Sequence, residues 1–122
     1  MDDCFAYRIA AGLVRFLTDP GAVPERRVRA DILFASPRHE PAAMAEMLRR
    51  IGPRLVVACH WDDMWLPLSR PLRPMLELPS ITFPPVRRLD MVKFARSVRE
   101  AGTGARPFVP EIFRAHNLEE LL

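Results

Sequence analysis

Residues 30–60, "ADILFASPRHEPAAMAEMLRRIGPRLVVACH", decide the fold. The stretch opens on a short apolar run, "ADILFAS", rich enough for a buried strand. Pro41 suits the first position of a helix, and Met44, Met47, Leu48 and Ile51 recur at i, i+3, i+4 and i+7, which is one helical face. Gly52 and then Pro53 stop that helix. "RLVVACH" follows as a second buried strand. A strand, a helix and a strand with short joins make a βαβ unit, which requires a parallel pair and a right-handed crossover.

Upstream, Phe5, Tyr7 and Ile9 alternate with Ala6 and Arg8, the turn falls around Ala11-Gly12, and "LVRFL" returns, so the chain reads as a hairpin. Asp19-Pro20-Gly21 closes the return strand. Taken alone, Asp19 there is a turn aspartate whose side chain bonds nearby amides. Downstream, six of the 13 prolines fall between Pro67 and Pro85. Proline lacks an amide donor and continues neither a helix nor a central strand, so residues 66–88 read as an ordered, irregular excursion. Its Leu66, Leu68, Leu72, Met75, Leu76 and Leu78 are too apolar for a flexible linker and should pack on something.

Asp90 can cap a second helix with Met91, Phe94, Ala95 and Val98 on its apolar face and Gly102 at its end. "ARPFVPE" suits an edge strand, where its prolines are tolerated. Residues 113–122 read as a short helix or a frayed end. The fold class is therefore α/β: a mixed sheet with an N-terminal hairpin, a βαβ unit and a C-terminal helix plus edge strand.

At 122 residues the chain makes one domain, residues 1–122, and 49% hydrophobic with 27% charged residues describes a globular protein. The net charge of +3 is mild. The arginines are scattered and carry no interleaved aromatic pattern, which argues against nucleic acid as a partner. No apolar run approaches the roughly 20 residues that span a bilayer. Met1-Asp2-Asp3 is acidic, with no basic region ahead of an apolar stretch, so the expected location is cytoplasmic and away from membranes. Cys4 and Cys59 sit in apolar surroundings and read as free buried thiols of a reducing compartment.

The chemistry gathers in "HWDDMW", residues 60–65, at the end of the second buried strand. Ligands in α/β sheets collect beyond the carboxyl ends of the strands, and both Asp19 and His60 fall there. The plain structural readings are a satisfied histidine at His60, turn or helix caps at Asp62 and Asp63, and core packing for Trp61 and Trp65. Cys59 should point to the face opposite His60. His39 reads as a loop residue and His116 as a surface one, neither with a partner at metal spacing.

"FLTDPG", "ADILFAS", the helix and "PRLVVACHWDDMWLPL", with the later "FPPVRRLDMVKFARSVREAGTGARPFVPE", together resemble the C-terminal half of the metallo-β-lactamase superfamily. The likeness is to its lactonase-like and general metallo-hydrolase branches, in which a strand runs into His-Trp-Asp-Asp. The resemblance implies half of an αββα sandwich. It implies Asp19 as the carboxylate bridging two metal ions and His60 as the histidine completing the second ion's shell. Asp62 and Asp63 would orient that imidazole from behind. Zinc, or another divalent metal, would activate water against an ester, lactone, amide or phosphoester in a small-molecule substrate.

The family's main metal motif, His-x-His-x-Asp-His, does not occur in this sequence. A catalytic zinc typically wants three protein ligands and an open position for water, and Asp19 and His60 are two. The expectation is thus a partial domain with little activity alone, dependent on a separate N-terminal half or on a homo-oligomer. The rival reading is a non-catalytic interaction module that pairs through the sheet face its own helices leave uncovered.

Overall fold

The computed structural model describes residues 6–67, 69–77, 87–111 and 114–122. Cys4, Phe5, Leu68, Phe113 and residues 78–86 of the proline-rich excursion, with Leu78, lie outside them. A hairpin forms first: β1 (Arg8–Ala11) and β2 (Val14–Leu17) pair antiparallel, Ala11 opposite Val14, and Gly12 turns the chain with φ 60°. That angle lies in the left-handed region, which glycine enters without a Cβ penalty.

β3 (Ile32–Ala35), α1 (Pro41–Ile51) and β4 (Leu55–Ala58) form the βαβ unit, with β3 and β4 parallel and Ile32 level with Leu55. The termini of α1 follow the sequence signals. Pro41 occupies its first turn, and Gly52 ends it at φ 65°, donating its amide to the Leu48 carbonyl at 2.8 Å. A Cβ at Gly52 would lie 2.6 Å from Arg29 Nη1, the tip of an exposed side chain that can swing away, so it is the left-handed backbone rather than space that calls for glycine.

Two short strands, β5 (Leu76–Glu77) and β6 (Arg87–Arg88), pair antiparallel apart from the main sheet. α2 (Met91–Glu100) is capped by Asp90, whose carboxylate accepts the Lys93 amide at 2.9 Å. β7 (Arg106–Phe108) adds parallel to β4, and α3 (Leu118–Leu121) is a single turn. The five-stranded sheet therefore runs β1-β2-β3-β4-β7 and is mixed, parallel from β2 onward. Pro107 sits in an edge strand, where a missing donor is tolerated.

The sheet is apolar on both faces. On one, Leu17, Leu33, Ala35, Val56 and Ala58 pack under Met44, Met47, Leu48 and Ile51 of α1 and Phe94 and Val98 of α2. On the other, Ile32, Leu55 and Val57 form a second cluster with Val14, Phe16, Phe34 and Phe108, and the cover comes from Leu121 and Leu122. Phe16 and Phe34 stack with centroids 6.5 Å apart. Arg54 and Arg106 donate to the Leu122 and Leu121 carbonyls and fasten the tail over this face. The His116 ring stands edge-on to Phe108 at 4.8 Å and is half-buried, which corrects its reading as a surface residue. A second correction concerns Trp65, which is 87% exposed rather than part of the core. It rides on a tight turn closed by Leu66 N–H to the Asp63 carbonyl, and that turn aims it outward.

Among the described residues no helix is long and apolar enough to cross a membrane. The two-sided packing predicts an asymmetric response to truncation. Leu48→Ala, at a fully buried position under the sheet, should lower unfolding free energy by about 2–5 kcal/mol in urea titrations. Leu13→Ala, at a position 99% exposed in the hairpin turn, should change it by less than about 0.5 kcal/mol. Equal effects would show that the βαβ layer is not the core.

Candidate functional site

The carboxyl ends of β2, β3 and β4 form a rim on which most of the candidate residues stand. Leu17 is level with Leu33, and Ala35 with Ala58. Asp19, two residues beyond Leu17, thus reaches the level at which β3 gives way to its loop. There its Oδ2 accepts the Ser36 amide at 2.8 Å, and its Oδ1 accepts the Gly21 amide at 3.0 Å. The bond to Gly21 is the local turn interaction that Asp-Pro-Gly suggests. The bond to Ser36 crosses to the neighbouring strand.

The third partner of Asp19 is His39, with Nε2 2.8 Å from Oδ1 and both side chains largely buried, 12% and 13% exposed. A carboxylate only accepts, so Nε2 carries the proton in this arrangement. Burial pushes the Asp19 carboxyl upward in pKa. The hydrogen bonds from His39, Gly21 and Ser36, with the histidine's charge, outweigh it and hold the group below the ordinary carboxylate range. His39 lies in the loop after β3, as read from the sequence, and there it has a partner in Asp19. The pairing was readable only weakly: His39 follows the strand that neighbours Asp19's own, four residues after its end.

Cys59 is a half-buried free thiol just past β4. Burial, reinforced by the negative charge of Asp19, pushes it up to about 12. It stays protonated at neutral pH and is a poor nucleophile. His60, the next residue, is exposed and takes φ 52°, the sole positive φ outside glycine among the described residues. Histidine is among the residues that tolerate this region. It lines an open recess of about 230 Å³ with Asp62, Leu72, Pro110 and Glu111. The structure joins Asp19 to His39 and does not place His60 among Asp19's hydrogen-bond partners.

Asp62 and Asp63 organise the return of the proline-rich segment. Asp62 bridges to Pro74, and the Met75 amide bonds the Trp61 carbonyl at 2.7 Å. Asp63 is buried; its Oδ1 accepts the Trp65 amide at 3.3 Å, and its Oδ2 accepts Arg88 Nη1 at 3.1 Å. Arg88 also donates to the Pro74 carbonyl at 2.7 Å. The Asp63 carboxylate, paired with a partly exposed Arg88, thus ties the segment just after β4 to β6.

Among the described residues no three His, Cys, Asp or Glu side chains gather where a metal ion could be held. Asp19 and His39 are two donors already bonded to each other, and the nearby thiol is protonated. The described residues alone thus fall short of the three protein ligands that a catalytic zinc site takes. No protein-family model, curated protein or solved structure matches the chain.

Two outcomes check this electrostatic picture. Because Asp19's folded pKa is depressed, its contribution to stability is present above the ordinary carboxylate pKa and disappears as pH falls through the lower folded value. Stability measured from pH 7 to pH 2 should therefore fall less steeply at the acid end in Asp19→Asn than in the parent. In a Cys4→Ser background, Cys59 should react with iodoacetamide at pH 8 at least about 10-fold more slowly in the folded chain than in urea. Equal alkylation rates would refute the burial of its thiol.

Proposed function

We propose that this chain is the C-terminal portion of a metal-dependent hydrolase of the metallo-β-lactamase superfamily, and half of its αββα sandwich. The single observation that carries the reading is positional. Asp19 beyond β2 and His60 beyond β4 stand on one carboxyl rim, flanking β3, where α/β sheets gather their ligands. The "HWDD" sequence supports it, and so does an imidazole at His60 that is exposed on the rim in a left-handed backbone. The reaction class is water-dependent cleavage of an ester, lactone, amide or phosphoester.

This chain supplies Asp19 and His60 toward a zinc or similar divalent ion, and the remaining ligands come from a segment bearing His-x-His-x-Asp-His. His39 holds Asp19 in place through its 2.8 Å bond, and Asp63, committed to Arg88, supports His60 through the fold of residues 61–75 rather than by direct contact. Alone, the chain is not a hydrolase, because it offers too few donors.

A second reading, a non-catalytic interaction module, is favoured by one observation: among the described residues, those from outside the sheet that pack on the face of Ile32, Leu55 and Val57 are Leu121 and Leu122. The two readings part on a single comparison. The purified chain should bind less than one equivalent of zinc and show no metal-dependent turnover of ester or lactone substrates. Co-expression with a segment bearing His-x-His-x-Asp-His should yield a complex that holds zinc and turns over, and Asp19→Ala or His60→Ala in this chain should reduce that activity at least about 100-fold. A complex that forms without zinc or turnover would favour the interaction module.

A further inference from the structure

The two edges of the sheet are not equivalent. β7 carries Pro107 within it and Pro110 just after, so its outer side is blunted against a further strand. β1 has no proline, is exposed at all four positions, and has no neighbour on its outer side among the described residues. Around it sit three large exposed apolar side chains: Tyr7 (65%), Ile9 (54%) and Leu13 (99%). An edge strand without proline, its outer amides and carbonyls unpaired among the described residues, is a template for strand addition, although β1 is short and carries Arg8.

The hydrogen-bond phase of β1 fixes what it can accept. Ala11 opposite Val14 closes the hairpin, and the Thr18 amide bonds the Tyr7 carbonyl at 3.0 Å. In an antiparallel pair the bonded positions alternate, so Tyr7, Ile9 and Ala11 bond inward to β2. The amides and carbonyls of Arg8 and Ala10 are left pointing outward.

We propose that β1 pairs antiparallel with β1 of a second copy of this chain, with the two-fold axis passing between the two Ile9 residues, so that two five-stranded sheets join into one of ten. In this register Arg8 of each copy exchanges both main-chain bonds with Ala10 of the other, which satisfies every outward group of the strand. Ile9 meets Ile9 as a non-hydrogen-bonded pair, the closer of the two cross-strand arrangements. Tyr7 lies opposite Ala11 on the same face. Shifting the pairing to bring Arg8 opposite Arg8 would oppose like charges, which is destabilising, so the register centred on Ile9 is selected by charge as well as by bonding. An isologous contact of this kind closes at two copies.

The test uses the full chain. By sedimentation equilibrium at tens of micromolar it should have twice its 14.0 kDa mass. Ala10→Pro removes an outward amide and no bond within the sheet, so it should yield a monomer with an unchanged far-ultraviolet circular dichroism spectrum. Cα atoms of a non-hydrogen-bonded pair lie about 4.5 Å apart, within the range that a disulfide bridges. Ile9→Cys in a Cys4→Ser background should therefore oxidise to a reducible dimer on a gel, while Cys4→Ser alone should not. A wild-type chain that sediments as a monomer overturns the proposal. So does a dimer that survives Ala10→Pro with no cross-link through Ile9→Cys, which would place the contact on another surface. Should Ala10→Pro unfold the chain, the Ile9→Cys cross-link decides the matter alone.

Discussion

The rest of the structure depends on the parallel pairing of β3 with β4 across α1. Parallel strands are joined by a crossover, the crossover helix covers one sheet face, and every strand between such layers must be apolar on both sides. Ile32, Leu33, Ala35, Leu55, Val56, Val57 and Ala58 are all buried, so this strand pair has no polar face to turn to water. The hairpin, α2 and the tail are each positioned by what that doubly apolar pair still needs covered. α2 completes the layer beside α1. The far face obtains its cover from the end of the chain, held by two guanidiniums on main-chain carbonyls.

That distribution of cover bears on function. One face is a continuous core, with side chains at or near zero exposure. The other is a smaller cluster whose aromatic members Phe16, Phe34 and Phe108 are half-buried. Among the described residues the cap on this face is two leucines, thin compared with a helix or a second sheet, and protein layers normally bury both faces of a parallel sheet. The same geometry serves the hydrolase reading, in which another layer completes the site, and the interaction-module reading, in which the layer is all there is.

On the rim, the Asp19 carboxylate is held from three sides. Asp19 has two amides and an imidazole on its two oxygens, an arrangement that lowers its pKa and fixes its rotamer. Turn formation accounts for the Gly21 bond. It does not account for a buried histidine reaching back from the loop after the next strand. His60, by contrast, stands exposed in a backbone conformation with a steric penalty for any residue bearing a Cβ, and such positions persist where the surroundings hold them.

The elements of the main sheet and the helices α1 and α2, with their order, could be read from the sequence because each signal there is local. The short β5–β6 pair fell within residues 66–88, read as irregular, and carried no such signal. Period-3.6 apolar spacing marked α1 and α2, Gly52 and Gly102 marked their ends, Asp90 marked a cap, and the flanking apolar runs marked strands. The α/β class and the mixed sheet follow from the order of those elements and from the handedness of crossovers. The positions of Asp19 and His60 on the rim were legible for the same reason, since a strand end is a local property. What only the tertiary structure decided are contacts between segments far apart in sequence. Asp19 with His39 is 20 residues apart, Asp63 with Arg88 is 25, and the terminal leucines cover strands that begin at Val14. Each depends on where the sheet brings two loop ends together, and no periodicity in one segment encodes its distance from another. Trp65 shows the converse: its composition suits a core, but the turn closed on Asp63 points it into water, because backbone direction rather than side-chain hydrophobicity decides which way a turn residue faces.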